Sequence, residues 1–356
     1  MRIEKVKAQL EKQKLDGIII TDKINWRYLT GFTGSNGWLV ITENSTKLFV
    51  DGRYTEQASL QTNNIEVIEA SSWSDIGSVL GSIVKNKRIG FEQQTISYEK
   101  FLLLNQLMRT NLSELIPTMN LVETLRMIKS ESEIVALRKA AAIADKTLTD
   151  ILPLLSAGMT EIDVANEIDY RSKKNGSEGP AFETIVASGT RTALPHGHAS
   201  QKIIKDNELI MIDFGTIYKG YYSDITRTMA FGSVDQKIKT IYVKLLAAQE
   251  KAIANLQLNQ PLAEIDQLVR KELASSDLDA FFSHDLGHGI GLSCHEFPAI
   301  AKTEKMTLQK NMTFTIEPGV YLPNQFGIRI EDDILINENG KAEVLTKFPK
   351  NWSIIQ

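Results

Sequence analysis

The sequence predicts a mixed α/β chain in two parts, an alternating α/β domain over 1–124 followed by a larger α+β domain over 125–356. Three observations carry this reading. The first third alternates helical with strand patterns. From Asn175-Gly176 onward strands dominate, broken by two helical stretches. The chain has 356 residues, of which 42% are hydrophobic and 24% charged, enough for about two domains with real cores.

The elements follow in order. Ile3, Val6 and Leu10 recur at helical spacing, so 1–15 reads as an amphipathic helix. Gly17-Ile-Ile-Ile-Thr21 is a short buried strand. Gly37–Thr42 and Lys47–Asp51 are two more, joined by the turn Glu43-Asn-Ser-Thr. Helical patterns return near 73–85 and 98–110, flanking a strand at Arg88–Phe91. The boundary falls near 120–130. There Ser130 and Glu133 form the S-x-x-E pattern of a capping box, in which each side chain bonds the other residue's backbone N–H. Ile134, Leu137, Ala141, Ala144 and Leu148 continue at helical spacing until Pro153 and Ala157-Gly158. A second helix covers 161–174, and two more are expected at about 235–257 and 262–274.

Composition excludes several classes of function. The formal net charge is −4, so the basic field needed for non-specific nucleic-acid binding is missing. The single cysteine, Cys294, cannot form an internal disulfide, which fits a reducing compartment. No apolar run approaches the roughly 18 residues of a membrane span, and no signal peptide is visible. The expectation is a cytoplasmic protein with no membrane and no nucleic-acid partner.

All five histidines lie between His196 and His295, among carboxylates that pair across strands. Leu209-Ile-Met-Ile-Asp213 is an apolar strand ending in an acid, and Tyr221–Met229 is its return strand. With a two-residue turn at Lys219-Gly220, side-chain alternation puts Asp213, Asp224, Thr226 and Thr228 on one face. Two carboxylates so placed repel unless a cation or a shared proton lies between them. Downstream, Phe314-Thr-Ile-Glu317 is a strand ending in an acid, and Gly327–Asp333 reads as one alternating strand with Arg329 and Glu331 on a common face. An odd-length connection brings Glu317 onto that face. Asp332, facing away from Glu331, and Asp333 read as a strand end.

Between these pairs lies Gly287-His288-Gly289, whose glycines permit close backbone approach. Asp213, Asp224, Glu317 and Glu331 sum to −4, and two divalent cations supply +4. A neutral His288 adds one nitrogen donor. Such a set suits manganese, cobalt or zinc and disfavours calcium.

Asp213-Phe-Gly, Ser223-Asp224-Ile-Thr-Arg-Thr, Gly287-His288-Gly-Ile-Gly, Glu317-Pro-Gly and Arg329-Ile-Glu331-Asp together resemble the pita-bread metallopeptidase family, which includes methionine aminopeptidase, prolidase, aminopeptidase P and creatinase. The resemblance covers about 125–356. The N-terminal part is similar to the creatinase-type N-terminal domain through Tyr28-Leu-Thr-Gly-Phe-Thr-Gly and Asp51-Gly-Arg53-Tyr54. The resemblance implies that Asp213 chelates one metal, that Asp224 and Glu331 bridge, and that His288 and Glu317 bind the second metal. Glu317 also moves a proton. It implies that His196 and His295 bind the substrate carbonyl and stabilise the tetrahedral intermediate, that Arg329 holds a metal-bridging aspartate from behind, and that His284 and Tyr321 stand at the rim. His198 lacks a counterpart in the family and reads as a rim residue. Cys294, facing away from His295, reads as a small buried apolar residue.

Within the family, the full ligand set disfavours metal-free creatinase chemistry, and the N-terminal domain disfavours methionine aminopeptidase. The resemblance therefore implies an Xaa-Pro aminopeptidase that removes the residue before a proline, with manganese the preferred of its two divalent ions and a homodimer as its assembly. A prolidase cleaving Xaa-Pro dipeptides is the alternative. An inactive peptide-binding relative is the remote one, since such proteins lose ligands.

Overall fold

The computed structural model describes residues 2–355, and the chain forms two compact units, one ending at Arg126 and the other beginning at Met127. The first unit contains helices α1 (Arg2–Lys12), α2 (Lys23–Thr30), α3 (Thr55–Gln61), α4 (Trp73–Val84), α5 (Tyr98–Thr110) and α6 (Glu123–Arg126). Its strands are β1 (Gly17–Ile20), β2 (Trp38–Thr42), β3 (Thr46–Val50), β4 (Glu66–Glu69), β5 (Arg88–Glu92) and β6 (Glu114–Thr118), in the order β4-β3-β2-β1-β5-β6. Ile19, Val40, Phe49 and Ile89 of the sheet pack on Leu80 and Val84 of α4 and Leu104 and Met108 of α5.

Helix α1 stops earlier than the expected 15, because Lys14 turns left-handed at φ 55 and Leu15 N–H returns to the Leu10 carbonyl, a helix-ending motif. The periodicity reading overlooked α2, α3, α6, β4 and β6. Helix α2 has only eight residues, too few to show a clear period. Its ends are nevertheless signalled: Asp22 accepts from the Ile24 and Asn25 N–H groups, and Gly31 is left-handed at φ 83. Strand β6 lies at the sheet edge, where Pro117 is tolerated.

The second unit contains α7 (Glu131–Ile151), α8 (Glu161–Lys174), α9 (Gln236–Ala254) and α10 (Leu262–Ala274). The expected box at the start of α7 forms: Glu133 accepts from the Ser130 N–H at 2.8 Å and the Ser130 hydroxyl at 2.6 Å. Strands β7 (Ile185–Ser188), β8 (Glu208–Phe214), β11 (Ile225–Phe231) and β19 (Ile354–Ile355) form one sheet, ordered β19-β11-β8-β7. The short β9 (Ile217–Tyr218) and β10 (Tyr221–Tyr222) close the β8/β11 hairpin. The other sheet is ordered β13-β12-β14-β17-β18, from β12 (Gly287–Gly289), β13 (Glu296–Ile300), β14 (Thr313–Ile316), β17 (Asp332–Ile336) and β18 (Ala342–Val344). Strands β15 (Gly319–Leu322) and β16 (Phe326–Arg329) extend its β14/β17 pair as a separate ribbon.

The pleat sorts each sheet's side chains. Ile210, Ile212, Phe214 and Ile225 pack on Ala144 and Leu148 of α7 and Val164 and Ile168 of α8. Phe314, Ile316, Ile334 and Ile336 pack on Leu245 of α9 and Ile265 and Val269 of α10. Asp213, Thr226, Thr315 and Asp333 alternate with these apolar residues and therefore point to the opposite faces.

The run Gly327–Asp333 departs from expectation. It is two strands, β16 and β17, separated at Ile330-Glu331. Side chains take over the backbone there. Arg227 donates to the Glu331 carbonyl at 2.5 Å, and Gln249 reaches the Ile330 and Ile316 carbonyls at 3.3 and 3.1 Å. Asp332-Asp333 accordingly begins a strand rather than ending one. Asp332 is completely buried, paired with Arg227 at 2.8 Å and Lys350 at 2.7 Å.

Candidate active site

Thr226 pairs with Asp213 across β8 and β11, and Tyr221 pairs with Tyr218 in the same register. The turn residues Lys219 and Gly220 have φ 50 and 76, the left-handed pair that a two-residue hairpin turn requires. Alternation from Thr226 then sets Asp224 on the face of Asp213. In the second sheet Ile316 pairs with Asp332 and Gly319 with Arg329, one register carried through the break, so Glu317 and Glu331 lie opposite each other.

His288 stands on β12 between two close approaches. A Cβ at position 287 would lie 2.0 Å from the Thr315 carbonyl oxygen, and one at 289 would lie 2.2 Å from that of Phe297. Only glycine fits either place. The His288 Nδ1 is 3.1 Å from the Gly289 carbonyl oxygen. A carbonyl only accepts, so Nδ1 carries the proton and Nε2 keeps its lone pair, as a metal-binding imidazole needs. Nε2 lies 3.4 Å from Glu317 Oε1 and 3.7 Å from Asp224 Oδ2. One donor atom each from Asp224, His288 and Glu331 fall within 4.8 Å of one another.

The carboxylates are short of partners. Asp213 Oδ1 and Asp224 Oδ1 are buried without a hydrogen bond. Burial, and then Glu331 and Asp213, push the Asp224 carboxyl well above the usual range. Burial, and then Glu317 and Asp213, do the same to Glu331. Burial raises Glu317 to about 8, with Arg329 pulling the other way. Burial also lowers His288, keeping it neutral. Orphaned oxygens, acids that resist ionising together and one imidazole lone pair are the chemistry of a divalent-cation site of mostly oxygen donors. The residues present fit that group.

Around this set, Arg329 Nη2 donates to Asp213 Oδ2 at 2.5 Å, Nε to Thr226 Oγ1 at 3.0 Å, and Nη1 to the Pro195 carbonyl at 2.9 Å and the Tyr321 hydroxyl at 2.7 Å. The expected partner of Arg329 was a bridging aspartate. The structure pairs it instead with Asp213, the residue read as a chelating ligand, because β16 lies against β11, where the Thr228 hydroxyl bonds the Arg329 N–H and carbonyl at 3.2 and 3.0 Å, and Asp213 is the cross-strand neighbour of Thr226. Tyr321 O–H in turn points to His284 Nε2 at 3.0 Å, since His284 Nδ1 donates to the Asp285 carbonyl at 2.8 Å. The His295 ring lies against that of His288, tilted by 30° with centroids 3.9 Å apart. Burial and His288 hold its pKa down at about 4. His196 is exposed on the wall of the same cavity.

Cys294 is buried, as expected, but it is not an apolar filler. Its thiol lies 3.3 Å from Asp224 Oδ2, and the loop turns between β12 and β13 rather than running extended. Two contributors went unrecognised in the sequence. The Thr315 hydroxyl accepts the His288 N–H at 3.1 Å and donates to Glu317 Oε1 at 3.2 Å. Asp333 Oδ2 accepts the Asp224 N–H at 3.0 Å. Both share a face with a proposed ligand two residues away, a signal that alternation offers. The donors open into a cavity of about 860 Å³ whose walls include Phe182, Ile185, Leu194, His196, His198 and His295. No described helix is long and apolar enough to cross a membrane.

A metallohydrolase is the class that such a fold and donor set define. The chain belongs to metallopeptidase family M24, whose model matches residues 135–338, and the creatinase/prolidase N-terminal domain matches residues 2–128. It is 37% identical to a protein of Pyrococcus horikoshii named Xaa-Pro dipeptidase, with 97% of each chain covered. A solved Xaa-Pro dipeptidase from Bacillus anthracis superposes with a TM-score of 0.94 at 38% identity, covering 99% of both chains. An X-Pro aminopeptidase from Thermotoga maritima superposes at 0.91 and 34% identity, again over 99% of both. The architecture is thus a creatinase-type N-terminal domain followed by a pita-bread metallopeptidase domain, and the chain is a metal-dependent peptidase.

Proposed function

We propose that this chain is an Xaa-Pro aminopeptidase, releasing the residue before a proline from peptides that continue past it. One observation carries the choice of length. The carboxylate of an Xaa-Pro dipeptide would need a cation to receive it. Among the described residues lining the cavity there is no lysine, and the one arginine is Arg329. All three of its nitrogens are committed, to Asp213, Thr226, Pro195 and Tyr321. A peptide whose proline is followed by another residue presents a neutral amide there instead. The second reading, a prolidase cleaving Xaa-Pro dipeptides, is favoured by the names of the similar proteins from P. horikoshii and B. anthracis.

In this reading Asp213, Asp224, His288, Glu317 and Glu331 hold two divalent ions, most simply manganese, with cobalt or zinc as alternatives. When bound, such ions supply Lewis acidity and a water of lowered pKa. Glu317, oriented by Thr315, accepts the proton of the attacking water and returns it to the leaving proline nitrogen. His196 and His295 donate N–H groups to the carbonyl oxygen as negative charge develops on it. Arg329 fixes the Asp213 carboxylate, and Tyr321 with His284 fixes Arg329. Residues 1–124 and 125–356 as the two domains, a homodimeric assembly and a cytoplasmic setting belong to the same proposal.

The test compares an Xaa-Pro dipeptide with the matching Xaa-Pro-Yaa tripeptide in the presence of manganese. Faster turnover of the tripeptide is expected. Efficient cleavage of the dipeptide alone would establish the prolidase reading, and cleavage of neither would remove both.

A further inference from the structure

The cavity carries negative charge that the metal-binding set does not use. Glu183 and His198 line it, and their side chains are 74% and 55% exposed, which places them at its mouth rather than its floor. His198 forms an isolated bridge with Ile185, another wall residue, so it is held beside the strand that Glu183 leads into. His198 Nδ1 stands 3.3 Å from Glu183 Oε2. Asp285, also lining the cavity, is exposed.

Two divalent ions would balance the four interior carboxylates, Asp213 included, which leaves the +1 of Arg329 against the −2 of Glu183 and Asp285. Arg329 is buried and bonded to Asp213, and no lysine or second arginine among the described lining residues stands with the two exposed acids. The mouth is therefore acidic where a peptide enters, and a low-dielectric cleft focuses such a field.

We propose that Glu183, oriented by His198, is a specificity-determining residue that favours peptides carrying a lysine or arginine side chain next to the proline. The inference rests on the Xaa-Pro peptidase reading above and adds the charge class of the substrate. A basic side chain gains an ion pair with Glu183, and an acidic one is repelled by Glu183 and Asp285. Glu183 touches no residue of the metal set, so its contact is made equally in the bound substrate and in the transition state. Its effect belongs in KM rather than kcat.

The experiment uses the manganese-loaded full chain and matched Xaa-Pro-Yaa peptides with Leu, Lys or Glu before the proline, and a second set with the same three residues after it. Attraction and repulsion at an exposed carboxylate are each worth about threefold, so Lys should exceed Glu by about tenfold in kcat/KM in at least one set. Glu183→Gln should cut that ratio to about threefold, mainly through KM, while the Leu peptides change little, and Glu183→Lys should reverse it. Raising the salt should erode the wild-type preference. The proposal is overturned if Lys and Glu peptides are cleaved alike by the wild type, or if Glu183→Gln and Glu183→Lys keep the wild-type ratio. If the wild type leaves even the Leu peptides uncut, the Xaa-Pro reading itself has failed, a result distinct from the loss of charge preference.

Discussion

Asp224 and Glu331 are buried with their carboxylates directed at the same space. Replacing either by Ala would leave the two proposed cations under-neutralised. Glu331→Ala and Asp224→Ala should lose bound metal together with activity, as metal analysis of the purified variants would show. His196→Ala and His295→Ala should keep about two metals per chain and lose kcat by about 10²–10³, the effect of removing an oxyanion donor. Loss of metal from either histidine variant would make that residue a ligand instead. Cys294 presents a subtler case. Its thiol faces Asp224 Oδ2, and serine can donate in the same direction. Cys294→Ser should retain most of kcat, and a loss beyond about a hundredfold, roughly 2.7 kcal/mol of barrier, with metal intact would contradict that. At this scale the sequence was most readable where chemistry and pleat agree: Asp213 and Asp224 share a face by parity alone. The thiol contact and the Asp213 partner of Arg329 were hidden. They depend on how a loop turns and on how one sheet lies against another, and neither is written in a residue's own neighbourhood.

At the scale of elements, β12 is the tightest fit. Gly287→Ala drives a methyl into the Thr315 carbonyl oxygen, 2.0 Å from the Cβ position, which is backbone and cannot swing aside. The strand must lift from β14 and carry His288 with it. We expect destabilisation of about 2–4 kcal/mol and weaker metal binding, measured by thermal unfolding and by metal titration. A variant with wild-type values for both would show that β12 has room to move. The long amphipathic helices were legible: the expected 262–274 coincides with α10, and α9 falls inside 235–257. Short elements were not. Helix α2 depends on its caps and on Asn25, whose amide bonds Glu92 and Glu123 at 2.7 Å each, contacts formed with distant parts of the chain. The break between β16 and β17 was invisible for a similar reason, since Arg227 and Gln249 impose it from other elements.

For the molecule as a whole, the central question is what folding does with so many clustered acids. Without cations, folded Glu317 has a pKa of about 8 against an ordinary 4.5, and Asp224 and Glu331 are raised too. The folded metal-free chain therefore holds more protons than the unfolded one between those values. The contribution of these three groups to stability is fully present below the ordinary carboxyl range and is lost as pH rises through the folded pKa. Chelated protein should show a melting temperature that declines from pH 5 to 8.5, about the window these shifts define. Manganese should restore both Tm and activity, with the larger gain in Tm at the higher pH because ions and protons compete for the same oxygens. A chelated sample that melts higher as pH rises, or that retains full activity with no bound metal, would refute the dinuclear site.

The single register running through β14–β17 and β15–β16 also governs how this hairpin can change in length. Its tip, Pro323 to Gln325, sits between strands that hold Glu317 and Glu331 opposite one another. Losing one residue there keeps the register if the turn closes on the same Leu322–Phe326 pair. If a strand residue is drawn into the turn instead, the strands slip by one position and Glu331 turns away from Glu317, unless a bulge absorbs the difference. A change of length at this tip should therefore be harmless while the turn absorbs it and should damage the site once it slips the strands, even though none of its residues lines the cavity.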